Sequence, residues 1–372
     1  MDEYLLKSFG DIISSLMAGE DLSRETARDM FSDILRGIQP DLHQGAFLAA
    51  LRMKGETAEE IAGCFEAIYE MDTNRVDMGD LPVVENCGTG MDSLKTFNIS
   101  TLAAVVAASK GVFMARHGSR AITSRCGTVD LCEAIGIDVE CDVDLVRESI
   151  KKCGLGLFNG MSGNVHPGGL GRILSQIRFG STLNIAASLA NPALPRVAVR
   201  GVGAPDQIEP TLNVMEKVGY QKAIIFHGLD QEGLKGMDEL STIGTSHVGF
   251  LNKGRNPEYA RLRPEEFGIA KGNYEDIKPL DSIEDEAIEA VRLLSGRGNR
   301  ARTDIVSLNA GAILWVAGKV QELREGLNAA RDEMSAGRPL KKLIDWVKTQ
   351  NRYPEIGLEK IMALCREGGI SL

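Results

Sequence analysis

The sequence predicts an α/β protein: a small N-terminal helical domain, then a larger α/β domain with a central, mostly parallel sheet flanked by helices. Three observations carry that expectation. Helical periodicity runs through the first part of the chain, short apolar runs alternate with helix-length segments from Pro82 onward, and a glycine-rich turn at 88–90 stands directly before a helix start.

Taken in order, Leu5, Phe9, Ile12, Ile13 and Leu16 share one face of a helix that ends at Gly19. Ser23 is placed to cap a second helix through Met30, Phe31, Ile34 and Leu35 to Gly37. A third is expected over 44–54 and stops at Gly55, after which Thr57 and Glu60 spell a capping box for a fourth carrying Ile61, Phe65 and Ile68. From Pro82 the pattern reads as βα repeats: an apolar run at 83–84, a helix over 101–110, a strand at 112–115, a helix over 128–135 and a strand at 137–140. Runs at 196–202, 223–227 and 247–251 read as further strands, with a helix over 208–218. Residues 154–195 interrupt this rhythm with many glycines and with Pro167, Pro192 and Pro195, which predicts a hinge or substrate-facing connection holding one helix near 168–178. Residues 283–335 are again helical, and 353–372 read as an added helical tail. The expected division is therefore 1–77 as the small helical domain, joined by a helix near 165–190; 78–160 and 191–345 as the large domain; and 346–372 as the tail.

With 372 residues, 43% of them hydrophobic, the chain can bury a large core. A formal charge of −10 gives no long-range attraction for nucleic acid or an anionic membrane, so any phosphate must be held locally. Neither partner is expected. The seven cysteines form no Cys-x-x-Cys pair, and their odd number fits reduced, buried residues rather than a disulfide framework. The opening segment lacks the basic start and apolar run of a signal peptide, and no stretch is apolar enough to span a bilayer, so the expected location is the cytoplasm.

The most informative stretch is 85–101, Glu-Asn-Cys-Gly-Thr-Gly-Met-Asp-Ser-Leu-Lys-Thr-Phe-Asn-Ile-Ser-Thr. Gly88 and Gly90 allow close backbone approach to a ligand, and Asn98, Ser100 and Thr101 offer donors where a helix begins with unpaired N–H groups and a positive dipole end. Phosphate or pyrophosphate is the natural guest. Gly-Thr-Gly alone is equally a plain tight turn before a capped helix; the surrounding donors favour the anion site. The stretch is neither a Walker loop nor Gly-x-Gly-x-x-Gly, since position 93 is Ser. A second group, Arg116, His117 and Arg120, is expected near the carboxyl end of a strand, where open α/β sheets bind ligands and guanidiniums suit phosphate. Alone, His117 reads as a structural histidine; beside two arginines a ligand role is preferred. Thr128 is the expected N-cap of the next helix, within the turn at 123–130. Asp238 and Glu239 are adjacent carboxylates after a glycine-bearing segment, a pairing that suits Mg²⁺, although most such pairs are merely solvated and by itself this one is weak evidence.

Together these motifs resemble the anthranilate phosphoribosyltransferases, in the wider group that includes the pyrimidine nucleoside phosphorylases. The resemblance spans about 10–335 and rests on Gln44-Gly-Ala-Phe-Leu-Ala-Ala-Leu-Arg, Lys54-Gly-Glu-Thr, Gly88-Thr-Gly, Thr96-Phe-Asn-Ile-Ser-Thr, His117-Gly, Gly127-Thr-Val-Asp-Leu, His166-Pro, Asn191-Pro, Asp238-Glu-Leu-Ser and Leu308-Asn-Ala-Gly-Ala. It implies a cleft between an α and an α/β domain, a homodimer through the helical domain, and a Mg²⁺-dependent transfer of ribose 5-phosphate from phosphoribosyl pyrophosphate to an aromatic acceptor. It implies donor binding by Gly88, Thr89, Gly90, Asp92, Asn98, Ser100 and Thr101, with Arg116 where the family usually has Lys and Thr128 where it usually has Ser. Ser100, Asp238 and Glu239 match the metal positions; Asp238, Glu239 and Arg116 are the implied catalytic set. The acceptor would enter past His117, Ser119 and the 160–192 connection.

The departures concern mainly the acceptor. Met91 replaces the family's second glycine, and Arg116-His-Gly-Ser-Arg120 replaces Lys-His-Gly-Asn-Arg. The arginine that would hold anthranilate's carboxylate aligns with Leu174 or Ser175, and the Gly-Pro after it with Ala187-Ser188; Arg172 or Arg178 are the substitutes at hand. The donor half of the pattern is intact and the acceptor half is not. A nucleoside phosphorylase and a non-catalytic nucleic-acid-binding relative are the competing readings; the carboxylate pair argues against the first and the charge against the second.

Overall fold

A computed structural model of the chain describes residues 3–90, 92–121 and 126–371. In chain order the elements are α1 (Glu3–Met17), α2 (Arg24–Leu35), α3 (Asp41–Lys54), α4 (Ala58–Met71), β1 (Val83–Cys87), α5 (Ile99–Ser109), β2 (Phe113–Gly118), α6 (Thr128–Ile135), α7 (Val143–Cys153), β3 (Leu155–Asn159), α8 (Gly169–Ile177) and α9 (Thr182–Ala187). They continue with β4 (Val197–Gly201), α10 (Ile208–Val218), β5 (Lys222–Leu229), β6 (Gly236–Met237), β7 (Ser246–Asn252), β8 (Glu258–Leu262), α11 (Tyr274–Ile277), α12 (Ile283–Leu294), α13 (Arg300–Val316), α14 (Leu323–Ser335), α15 (Arg338–Thr349) and α16 (Pro354–Glu367).

The chain divides into two units. One comprises residues 1–75, 160–194 and 213–219, the other 76–159, 195–212 and 220–372. In the first, the apolar faces read from the sequence meet: Phe9, Ile13 and Leu16 of α1, Phe31 and Ile34 of α2, Phe47, Leu48 and Leu51 of α3, and Ile61 and Ile68 of α4 are all buried. The helix starts form as their side chains dictate. Ser23 accepts the Thr26 N–H, and Thr57 and Glu60 exchange both bonds of a capping box at 3.2 and 2.8 Å. Asp72, buried at the end of α4, accepts the N–H groups of Gly168 and Leu170 with its carboxylate and the His166 Nδ1–H with its carbonyl, so it caps α8 from within the same unit.

In the second unit the described residues form an eight-stranded sheet with the order β3-β2-β1-β4-β5-β7-β8, and β6 pairs with β5. β1 to β5 are mutually parallel, whereas β6, β7 and β8 join antiparallel. The register sets Cys87 opposite Arg200 and Arg116 opposite Leu157. Chain order runs outward from β1 through β2 to β3 and then returns to β4 on the other side of β1, so the β1/β4 boundary is the topological switch point of the sheet. α5, whose sequence Ile-Ser-Thr-Leu-Ala-Ala-Val-Val-Ala-Ala-Ser is apolar on every side, is buried all round and packs on α13, itself buried almost throughout.

Two expectations are corrected here. Residues 137–140 are not a strand: Asp138 exchanges hydrogen bonds with Gln350, and Ile137 and Val139 are buried in a covered turn. The strand lies instead at β3, after α7, inside the stretch read as the start of the hinge, and all five of its residues are buried. The C-terminal region is also more integral than a tail: position 346 falls inside α15, and the Gln350 side chain closes the edge of β3. Its Oε1 accepts the Leu157 N–H at 2.9 Å and its Nε2 donates to the Leu157 carbonyl at 2.9 Å, in the manner of a neighbouring strand.

Among the described residues no helix is long and apolar enough to cross a membrane. All seven cysteines are free, and Cys64, Cys132, Cys141, Cys153 and Cys365 are buried.

Candidate active site

The glycine loop leaves the carboxyl end of β1 at the switch point and leads into α5. What gathers there is decided by two glycines. A Cβ on Gly88 would overlap the Asp238 carboxylate, and one on Gly201, at the end of β4, would overlap the Asp238 backbone carbonyl. Only hydrogen at both positions lets the 236–239 segment lie against the ends of β1 and β4. Asp238 Oδ2 then accepts the Gly90 N–H at 2.8 Å, and Glu239 Oε1 accepts the Ser100 N–H at 3.0 Å. The loop and the helix start thus each lend an N–H to one member of the carboxylate pair. Ser93 exchanges bonds with Gly236, and Asn309 of α13 brackets Leu240, taking its N–H at 2.9 Å and donating to its carbonyl at 3.0 Å. These contacts fix the segment on both sides.

The electrostatics follow from burial. Desolvation, and then the charge of Asp92, push the Asp238 carboxyl up to about 6. Desolvation and the neighbouring Asp238 hold Glu239 well above the ordinary glutamate value, against the pull of Arg116. Asp92 is itself paired with Lys95 at 2.7 Å. A half-buried and a buried carboxylate that resist being charged together are a site in want of a cation, and all their donor atoms are hard oxygens.

β2 runs on to Gly118, so Arg116 lies close to the carboxyl end of the strand but inside it, 2% exposed. Its Nε donates to Asn86 Oδ1 at 3.0 Å, Nη1 to Thr101 Oγ1 at 2.7 Å and Nη2 to Ser100 Oγ at 3.1 Å. Burial lowers its pKa from the ordinary arginine value. Asn86, which donates to the Ser100 carbonyl at 2.8 Å, is a site residue that sequence reasoning misses. A signal for it exists, because an asparagine inside a central parallel strand needs a polar partner.

Of the other expected donor residues, Thr89 and Gly90 are exposed and Gly88 half-buried on the loop, and Asn98 is the N-cap of α5 but sends its amide to the Cys126 carbonyl at 2.9 Å rather than to the helix. Thr128 is not the N-cap of α6. Gly127 holds that place, and Asp130 supplies the side chain, accepting the N–H groups of Gly127 and Ala121 at 2.9 Å each. An acid at the third helical position thus reaches back to the cap residue's own N–H, and no side chain at the cap accepts from the first turn. His117 is buried on β2, and the Ser119 carbonyl accepts the Val129 N–H at 3.3 Å. Arg120 pairs with Asp130, Glu133 and Glu140. Met91 and residues 123–125 of the second turn lie outside the described residues.

The acceptor candidates belong to the other unit. Arg172, on α8, donates Nη2 to Gln44 Oε1 and to the Ile34 carbonyl, both at 3.3 Å, and pairs with Asp41 at 3.4 Å. Arg178 is exposed at the end of α8, its Nε bonded to the Ser175 carbonyl at 2.9 Å. Leu174 is half-buried and Ser175 exposed.

Comparison with known proteins gives one consistent answer. Residues 80–340 match the glycosyl transferase family a/b domain, and residues 10–71 the helical bundle domain of the glycosyl transferase family. The chain is similar to the anthranilate phosphoribosyltransferase of Methanothermobacter marburgensis, 33% identical over 92% of this chain and 99% of that one, and to that of Desulfosudis oleivorans, 35% identical over 92% and 99%. Among solved structures, anthranilate phosphoribosyltransferase from Thermus thermophilus superimposes with a TM-score of 0.81 at 32% identity, covering 91% of this chain and 98% of that one. The Saccharomyces cerevisiae protein in complex with PRPP and Mg shares the fold, with a TM-score of 0.79 at 22% identity over 94% and 98%.

Proposed function

The chain belongs to the anthranilate phosphoribosyltransferase family of glycosyl transferases, and from that premise we propose a Mg²⁺-dependent transfer of ribose 5-phosphate from phosphoribosyl pyrophosphate to an aromatic amine, anthranilate or a related acceptor. The observation that carries the reading is the convergence of the 88–90 loop, the start of α5 and the Asp238–Glu239 pair on one point at the sheet's switch point. The amine nitrogen forms a bond to ribose C1 as the bond from C1 to the pyrophosphate oxygen breaks; the nitrogen then sheds its proton and pyrophosphate leaves. Positive charge builds on the ribose ring, so the site needs no nucleophile of its own.

The residues fit the metal by their chemistry. Asp238, Glu239 and the Ser100 hydroxyl would hold Mg²⁺, with phosphate oxygens of the donor completing its shell, since among the described residues no group of three or more His, Cys, Asp or Glu side chains is gathered to hold an ion alone. When bound, the ion neutralises charge on the departing pyrophosphate. The rest falls to the protein: those loop and α5 N–H groups not held by Asp238 and Glu239 take phosphate oxygens, Ser100 adds its hydroxyl, and binding energy for the pyrophosphate holds C1 in place for attack. The yeast relative's complex with PRPP and Mg supports the same donor and ion here. A homodimer is part of the proposal by family.

The test is to incubate the protein with phosphoribosyl pyrophosphate, Mg²⁺ and a panel of aromatic amines and heterocycles headed by anthranilate, and to follow pyrophosphate release. Release that depends on both metal and an amine is expected. Cleavage of nucleosides by inorganic phosphate, with no release of pyrophosphate from the donor, would overturn it in favour of a phosphorylase.

A further inference from the structure

We propose that Arg116 and Asn86 form a buried clamp that presents Ser100 to the donor as a hydroxyl donor, with Thr101 as a buried anchor, acting through Ser100 rather than by touching phosphate. The start of α5 lacks an ordinary cap, because Asn98 gives its amide to Cys126. Its first turn is held from beneath instead. Ser100 is fixed at three of its groups: its N–H on Glu239, its carbonyl by Asn86 Nδ2 at 2.8 Å and its hydroxyl by Arg116 Nη2 at 3.1 Å. Thr101 is fixed through its hydroxyl, at 2.7 Å from Arg116 Nη1.

The direction of these bonds matters. Guanidinium nitrogens can only donate, so both hydroxyls must accept from Arg116, which leaves their own O–H groups to donate elsewhere. A hydroxyl that already accepts from a cation is a stronger donor toward an anion. At 2% exposure the guanidinium is buried, as is Thr101 at 1%, whereas Ser100 is only half-buried. Asn86 completes the device by doing two jobs at once, accepting from Arg116 Nε at 3.0 Å and donating to Ser100. The planar fork reaches acceptors on β1 and on α5 together, which a lysine ammonium at the same place does not reproduce.

The inference rests on the proposed donor, so the experiment carries its own control. Mg²⁺-pyrophosphate and Mg²⁺-phosphoribosyl pyrophosphate are titrated calorimetrically into the wild-type chain, Arg116→Lys and Asn86→Asp, below the melting temperature of each. Asn86→Asp keeps an acceptor for Arg116 but replaces the donor to Ser100 with a charged carboxylate, so Asn86→Ala, which removes the donor without adding charge, is titrated beside it and is the mild probe should Arg116→Lys fail to fold. Both ligands are expected to bind about 10- to 100-fold more weakly to each variant, with the KM of the amine acceptor within about twofold of wild type. Wild-type binding with variants equal to it within about twofold overturns the clamp, and so does a loss shared equally by donor and acceptor, which marks general misfolding. No binding to the wild type overturns the donor assignment instead.

Discussion

The surroundings of Ser100 and those of Arg172 contain similar side chains arranged to opposite ends. Around Ser100, on the proposed donor side, residues distant in sequence spend their hydrogen bonds on orienting one helix start and one carboxylate pair, and the carboxylates stay in electrostatic deficit. Around Arg172, on the proposed acceptor side, the bonds close on the protein itself: Gln44, Ile34 and Asp41 take the guanidinium, and Asp72 takes the N–H groups that begin α8. One region has been left wanting a ligand; the other is internally satisfied. Backbone N–H groups and a metal recognise a pyrophosphate, and they need the whole fold to hold them. A carboxylate on an acceptor needs one guanidinium, which a single substitution on a helix can supply, move or remove.

The largest effect that can break this contrast is expected from Asp238→Asn combined with Glu239→Gln, which should lower kcat by about 10³-fold or more if the pair holds the ion that neutralises the leaving group. Steady-state turnover at saturating Mg²⁺ checks it. Next comes Gly88→Ala, whose new methyl group must displace the Asp238 carboxylate; destabilisation of about 1–3 kcal/mol and a raised KM for the donor are expected from chemical denaturation and initial rates. Gln350→Ala leaves the Leu157 N–H and carbonyl of the sheet edge without partners and should cost about 1–3 kcal/mol in stability, with kcat unaltered at moderate temperature.

A smaller effect tests the electrostatic deficit itself. The folded Asp238 holds its proton up to about pH 6, while the unfolded chain releases it near the ordinary aspartate value, so between those values the native state binds more protons. Stability of the metal-free protein should therefore fall as pH rises from about 4 through 6, and rise again on acidification through the same window. Thermal melts across that window should show the slope without Mg²⁺ and a flatter one in Asp238→Asn. The smallest effect is expected from Arg178→Ala, an exposed arginine bonded only to a carbonyl of its own helix in the described contacts; kinetic constants for both substrates should stay within about twofold.

Much of this is legible in the chain. Ser23, Thr57 and Glu60 announce their helices because a cap is a local event, and the proposed anion site is read from glycines at 88–90 followed within one short loop by the start of α5 at Ile99. Arg116 is legible as a phosphate-site cation but not as a buried one, since its environment depends on how far β2 extends and on Asn86 from another strand. The strand at 155–159 is hidden in a glycine-rich stretch, and the apolar alternation at 137–140 imitates one; only pairing partners, Gln350 for the latter, separate the two cases. Gly127 displaces Thr128 as the cap because Asp130, at the third helical position, reaches back to the N–H groups of Gly127 and Ala121 at once.

The most direct measurement is calorimetric titration of phosphoribosyl pyrophosphate into the wild-type protein and into Asp238→Asn/Glu239→Gln, each with Mg²⁺ and with a chelator. Saturable binding by the wild type that requires Mg²⁺, and its loss in the double variant, is the expected result. Binding of equal strength with and without the ion, or undiminished in the variant, would contradict the claim that this carboxylate pair and the helix start beside it hold a metal-bridged pyrophosphate.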